Sequence, residues 1–478
     1  MEPESSAQAQ AELTPRPQPG VWLTIAEAIK GTHQDFTQGS ISRAVFLLAI
    51  PMVLEMFMES LFALVDTLWV SRLGANAIAT VGLTESMLAL VFSVALGVSF
   101  STTAMVARRT GEKDPEGAAT AAMQSIFLGI GVAFAMGIPA MIFAHQLLGL
   151  MGAEKMLILA GHRYTEIVFG GTAVVMLLFL NNAIFRGAGD ASVAMRVLWV
   201  SNLINLVLDP CFIFGLGPFA KLGVTGAAVA TLTGRSCGVL YQFWLLTNGH
   251  TRVRLTARHL RIVPPVIASL VRVSSTGVLQ FLIAHTSWIV LVRIISTFGS
   301  LAVAGYTIGI RIFMFIILPS WGMSGAAATM VGQNLGGKKP ERAERAVYVT
   351  AGYNALYLVA IALVLIFAPH IIVSFFSADP IVSRLAADCL RIIGYGNLTY
   401  AFGMVMVQAF NGAGDTVTPT MINLVSFWLC EIPLAWLLAN HTSLGVNGVF
   451  TAIPVANTLM TVISLVVFAR GSWKQRRI

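Results

Sequence analysis

The amino-acid sequence predicts an all-α membrane protein of twelve transmembrane helices, arranged as two six-helix lobes related by pseudo-two-fold symmetry. Three observations carry that expectation. The 478 residues are 56% hydrophobic and 11% charged, with a mean hydropathy of +0.79, whereas a soluble chain would carry about a quarter charged residues. Apolar stretches long enough to cross a hydrocarbon core of roughly 30 Å as helices recur along the chain, and they lack the alternation of a barrel strand. The chain also repeats itself at a fixed offset. Gly111 pairs with Gly336, Pro115 with Pro340 and Glu116 with Glu341, each 225 residues apart, and the same offset joins Gly74 to Gly299 and Gly97 to Gly322. It aligns Phe185-Arg186-Gly187-Ala188-Gly189-Asp190 with Phe410-Asn411-Gly412-Ala413-Gly414-Asp415. The unit is duplicated.

Twelve spans are expected at 43–70, 76–107, 119–149, 158–184, 192–216, 222–247, 265–296, 300–332, 343–374, 383–409, 417–439 and 444–469. Six in each copy leave both copies in one orientation, so the repeats are parallel, about an axis along the membrane normal. The chain then divides into a tail at 1–42, an N-terminal lobe at 43–247, a basic linker at 248–264, a C-terminal lobe at 265–470 and a basic tail at 471–478. Residues 1–20, with four prolines and three glutamines, read as a disordered tail without a cleavable signal. The stretch 21–30 reads either as an amphipathic surface helix or as a frayed polar lead-in.

Orientation follows from lysine and arginine in short loops. One side collects Arg108, Arg109, Lys113, Arg186, Arg252, Arg254, Arg258, Arg261, Lys338, Lys339, Arg342, Lys474, Arg476 and Arg477, while the opposite loops hold little more than Arg72, Lys155 and Lys221. Both termini are therefore expected on the cytoplasmic side of a cell (inner) membrane. The net charge of +8 is a topology signal with attraction to anionic lipid, and it gives no support to nucleic-acid binding. Cys211, Cys237, Cys389 and Cys430 are scattered, which argues against a disulfide framework or a zinc site.

Ionisable groups within spans are costly and call for a reason. Asp66 must face a partner, a cation or water, unless it lies near the surface and is simply solvated. Its repeat mate is Leu291, so the acid was not duplicated with the scaffold. Asp209 and Asn205 are four apart and share a helix face. A carboxylate and an amide carbonyl there make half of a hard-cation site or a proton site; a helix-end cap before Pro210 is the competing reading. The mate of Asp209 is Leu434, and the nearest second-copy acid is Glu431. Glu55 and Glu59, one turn apart, face either a central cavity or neighbouring helices. His285 and Arg293 share a face two turns apart, His285 as a titrating group or as a hydrogen-bonding strut. The two Gly-Ala-Gly-Asp segments are turns with Asp190 and Asp415 as N-caps, since no strand precedes them and no Lys-Ser/Thr follows. Nothing resembles a nucleophile elbow, a Walker sequence or a metal-ligand cluster, so neither an enzyme nor an ATP-driven pump is expected.

With two six-span repeats, Val65-Asp66-Thr67, Leu208-Asp209-Pro210 and the paired turns, the chain resembles the multidrug and toxic compound extrusion (MATE) family over residues 40–470. The resemblance implies secondary efflux of organic, often cationic, compounds in exchange for H⁺ or Na⁺ by alternating access, with no cofactor beyond the ion. It places the cation site, Na⁺ included, at Asp66, Tyr164, Asn205, Asp209 and Thr231. It assigns Pro51 to a bend of the first span. Acids that some members carry in the seventh and tenth spans have uncharged counterparts here, which speaks against a C-lobe site. Met56, Phe57, Phe62, Gln280 and Trp288, with Glu55, Glu59, His285 and Arg293, are candidates for a drug cavity between the lobes; core packing is the alternative for the apolar ones. A monomer is expected. The competing function is a lipid-linked oligosaccharide or lipid flippase of the related superfamily, with Arg293 as its cavity cation.

Overall fold

The computed structural model describes residues 21–31, 34–476 and 478. The tail at 1–20 and Arg477, on which disorder and topology were argued above, lie outside the described residues. Among those residues every regular element is helical. Among the described residues nine helices are long and apolar enough to cross a membrane, and the pair Lys155–Gly170 and Thr172–Ala188, bent by 40°, makes a tenth if counted as one span. Val224–Asn248 and the pair Pro380–Tyr395 and Asn397–Gly412 occupy the sixth and tenth of the twelve places and fall short of that apolarity. The four cysteines are free.

Several expected spans are broken, at symmetric positions. The fourth stops at Gly171 and the tenth at Gly396, which are 225 apart. A Cβ at Gly171 would lie 2.6 Å from Leu232, and one at Gly396 would lie 2.5 Å from Pro454, so each bend lets its span pack against the last helix of its own lobe. The third ends at Ile142 before a short helix, Ala144–Leu150, and the ninth ends at Phe367 before Pro369–Val373. The residues at these two breaks, Phe143 and Ala368, are again repeat mates; in the second copy Pro369 has no N–H to continue the ladder. The eleventh span runs from Val417–Asn423 through a π-helical stretch, Leu424–Glu431, into Ile432–His441.

The lobes meet about a pseudo-two-fold axis. A Cβ at Gly111 of the second span (Ala75–Gly111) would lie 1.9 Å from the Gln333 carbonyl oxygen. One at Gly336 of the eighth span (Ser300–Gly336) would lie 2.1 Å from that of Arg108. Arg108 and Gln333 are themselves 225 apart, so the contact is reciprocal. Within each lobe, Gly187 abuts Thr103 and Gly412 abuts Ala328, another pair related by the same offset. Between apolar helices in lipid, hydrophobicity supplies no net attraction, and close approach through small residues supplies the packing. The duplicated glycines are those crossings.

Both described terminal segments gather with the basic loops at one face. The helix Val21–Lys30 forms, with Trp22 exposed and Ala28 buried, and Glu27 pairs with Arg43 at 2.6 Å. The following segment ties the two lobes together. Arg252 of the linker donates to the Gln34 carbonyl (2.7 Å), Lys339 to that of Thr37 (2.9 Å), and Arg342 to those of Gln38 (2.7 Å) and Gly39 (2.8 Å). Burial alone would raise the Asp35 carboxyl, but hydrogen bonds from Thr37 and the nearby Lys113 and Lys339 hold it below its ordinary value. The basic linker is pinned to the third span: Gln124 bonds the backbone of Arg261 and Val263, and His259 meets Glu116 at 3.0 Å.

Two sequence expectations are corrected at this face. Asp190 makes no side-chain cap; its carboxylate accepts the Arg252 backbone N–H (2.8 Å) and faces the Arg252 guanidinium (3.2 Å). Asp415 does accept the Thr418 backbone N–H (3.4 Å) as a cap would, along with the Thr418 hydroxyl (2.7 Å), and it also pairs with Arg476 (3.2 Å). Each turn thus holds the basic segment that follows its own lobe, because a charge-assisted pair is stronger than a neutral cap. Arg186 is not a loop cation. It lies in the helix Thr172–Ala188 and turns between the lobes.

Candidate functional site

The first span, Ile41–Ser71, is one unbroken helix with Pro51 buried inside it. Its polar residues face two different sites. Asp66, near its far end, has a buried Oδ1 without a hydrogen-bond partner. From the fifth span (Ala191–Phe214), Asn205 donates to Asp209 Oδ1 (3.3 Å) and to Thr231 Oγ1 of the sixth span (3.1 Å). Asn205 and Asp209 are 2% and 1% exposed, and Asn205 Oδ1 and Asp209 Oδ2 are left without donors. Tyr164, buried on Lys155–Gly170, lies within electrostatic reach of Asp66 and Asp209. The expected five residues come together.

Three orphaned acceptor oxygens in one buried cluster are costly unless a proton or cation joins them. Carboxylate, amide and hydroxyl oxygens are the donor set that a hard cation such as Na⁺ takes. Among the described residues no group of three or more His, Cys, Asp and Glu is disposed to hold a metal. The sequence reading missed Arg235, which approaches Glu59 at 3.7 Å and lies within electrostatic reach of Asp66. A lone arginine in the sixth span was visible as an intramembrane charge and should have been matched to the acids of the first.

The second site is a cleft of about 230 Å³ between the lobes. Its walls include Met52, Met56, Phe100, Phe179, Phe281 and Trp321, and its polar lining includes Glu55, Glu59, Asn182, Arg186, Gln408 and Asn411. Glu55 is wholly buried and accepts from Arg186 (2.5 Å) and Asn182 (3.2 Å). Glu59 accepts from Asn202 (3.3 Å). Of the expected cavity residues, Met56, Glu55 and Glu59 line this cleft. Gln280 instead lines an adjoining pocket with Trp321, Tyr400 and Asn423.

Phe57, Phe62, His285, Trp288 and Arg293 line neither space. Phe57 is 48% exposed, Phe62 lies beneath the Arg235 guanidinium, and Trp288 stacks edge-on with His285. Phe62 shares a helix face with Glu55 and Glu59, and His285 and Trp288 share one with Phe281, but all three lie further along their spans than the residues that line the cleft. In the C-lobe, Glu431 is buried at the end of the π-helical stretch and accepts from Ser287 (3.3 Å).

Known proteins agree with this architecture. The MatE family model matches residues 51–211 and again 278–437, once in each repeat. A probable multidrug resistance protein NorM of Thermotoga maritima is 25% identical over 445 residues, covering 92% of this chain and 94% of that one. An FAD transporter of Shewanella oneidensis is 25% identical over 422 residues, covering 88% and 92%. A solved structure described as the outward-facing conformation of a multidrug resistance MATE family transporter superposes with a TM-score of 0.86 at 26% identity, covering 93% of this chain and all of that one. The chain belongs to the MATE family of membrane transporters and is not an enzyme.

Proposed function

We propose that the protein is a secondary active multidrug exporter, moving organic compounds outward in exchange for H⁺ or Na⁺ by alternating access. The observation that carries this reading is the trio of orphaned oxygens on Asp66, Asn205 and Asp209, set in one lobe and beside, not inside, the aromatic cleft. A coupling ion needs a site that can be empty or filled, and unpaired buried acceptors are such a site. The cleft offers methionine and aromatic surface, polarizable and adaptable to varied ring systems. On this reading the basic face is cytoplasmic in the cell membrane, the N-terminal strap closes it, and the cleft is the outward-open path. A single copy contains both sites, so the unit is a monomer.

The flippase alternative rested on Arg293, which is exposed on the seventh span and outside the cleft lining, and it loses that support. The test is export of an organic dye by purified protein in liposomes, with a Na⁺ gradient and a proton gradient imposed separately. Export is expected under one of the two gradients and absent without either. Dye movement indifferent to both gradients would reject ion coupling.

A further inference from the structure

Two charges within the spans have no role in either site. Glu85 of the second span and Arg311 of the eighth are exposed, and neither makes an ion pair or a side-chain hydrogen bond among the described residues. Their rotation is fixed by packing that the repeat duplicates. In the first copy a Cβ at Gly161 would lie 2.5 Å from Thr80, and Thr84 shares a hydrogen bond with Thr165 (2.9 Å). In the second, a Cβ at Gly305 would lie 2.6 Å from Leu385 and one at Gly309 would lie 3.1 Å from Cys389. Positions 80 and 305, and 84 and 309, are mates, so each span is set against its own lobe in the same way.

Glu85 and Arg311 turn out of those seams toward the other lobe. Glu85 precedes Leu96 by 11 residues and Thr103 by 18, and Arg311 precedes Leu318 by 7 and Gly322 by 11; all four of those partners line the cleft. Such spacings return to one helix face. From the crossing at Gly111 and Gly336, Glu85 lies 26 residues back and Arg311 lies 25, nearly the same height of about 38 Å. The mate of Glu85 is Ile310 and that of Arg311 is Ser86, so an acid and a base occur once each, at neighbouring levels of opposite lobes. Arg311 is within electrostatic reach of Glu85, and Glu85 of Asp66. Against lipid either charge would be costly, whereas both face the path outward of the cleft.

We propose that Glu85 and Arg311 are the outward gate. When the lobes close on that side, the carboxylate and the guanidinium fork meet as an inter-lobe ion pair; when the path opens, they part into water. A cation bound at Asp66 weakens the field that draws Arg311 to Glu85, and so favours the open state. The proposal rests on alternating access and names the residues that hold one end of it. Both are positioning residues, acting on the lobes and not on the cargo.

The test reads the distance between spin labels on Ala75→Cys and Ser300→Cys, exposed repeat mates at the outer ends of the two spans. Double electron–electron resonance is recorded on the full chain in lipid nanodiscs, in a background with the four native cysteines replaced by alanine and dye export retained. The wild type is expected to show a short and a long distance. Glu85→Gln and Arg311→Gln should each lower the short-to-long ratio roughly three- to tenfold, the range of an ion pair between partly desolvated charges. The double variant should lower it no further, because the pair is already lost. Arg293→Gln, which removes an exposed cation outside the path, should leave the ratio unchanged. Asp66→Asn should lower it by a smaller factor, and an unchanged ratio there would overturn the link to the ion. A ratio indifferent to both gate substitutions, or losses that add in the double variant, overturns the gate. A single wild-type distance, the same with and without dye, would instead reject alternating access, and this inference would fall with it.

Discussion

Asp66, Tyr164, Asn205, Asp209 and Thr231 each have a mate 225 positions on: Leu291, Cys389, Cys430, Leu434 and Ala456. In one lobe these positions form a buried cluster with three unpaired oxygens. In the other, Leu291, Cys389 and Leu434 belong to or pack against an apolar core that also contains Tyr306 and Phe450. Much of the surrounding scaffold is shared, down to the breaks at Gly171 and Gly396, although the eleventh span passes through the π-helical stretch Leu424–Glu431 where its mate, the fifth span, is regular α-helix. Lys113 and Lys338, 225 apart, even share a left-handed backbone, with φ of 60° and 56°. Duplicated chemistry that served folding was kept in both copies, and polar chemistry survives in one. An apolar core like that at the second set of positions is the more stable solution, so the polar set in the first copy is held for some use other than stability.

Six substitutions, in four tests, probe that contrast, from the largest effect to the smallest. Asp66→Asn should abolish ion-coupled export in liposomes while the protein still melts cooperatively, because the amide keeps the shape and loses the charge. Parental export by this variant would remove Asp66 from the coupling group. Gly111→Val and Gly336→Val should destabilise by similar amounts, on the order of 1–3 kcal/mol each for overpacking at a crossing that admits no Cβ. Thermal denaturation in detergent reads this, and strongly unequal losses would mean that the crossing is not symmetric in energy.

Asp209→Asn and Asn205→Ala should shift the ion dependence of transport several-fold, roughly the worth of one charged hydrogen bond, with little change in apparent drug affinity. Weakened drug binding with unchanged ion dependence would move the pair into the substrate site. Glu431→Gln should cost less than about twofold in coupled export, since glutamine can still accept from Ser287. A loss matching that of Asp66→Asn would reveal a coupling site in the second lobe and end the contrast.

Most of the architecture could be read from spacing and composition. The offset of 225 and the apolar runs gave twelve helical places, and the intramembrane acids gave the members of the cluster. What escaped the sequence was rotation and interruption. Arg186 sits beside a glycine-rich turn and reads as a loop cation, yet its helix continues to Ala188 and carries the guanidinium into the cleft. Phe57 has the right composition for a drug cavity but is half exposed beside the cleft residue Met56, and Trp288 has the right face but lies two turns beyond Phe281. The bend at Gly171 hinges on what packs beside it, here Leu232, which no local pattern announces. Arg235 and Glu59 are 176 positions apart, and only the fold makes them neighbours.

The reciprocal contact of Gly111 and Gly336 has the form of an isologous interface, the kind two identical subunits make across a dyad. In a dimer of identical halves, any change at such a surface strikes both sides together, and an acid suited to one ion site must appear twice. Joining the halves through the linker at 248–264 removes that constraint. Position 108 can be arginine while its mate, 333, is glutamine, although their backbones still serve the same crossing. The joint between the lobes thus keeps the geometry of a homodimer while the two halves have become different proteins, one carrying an ionisable cluster and the other an apolar core.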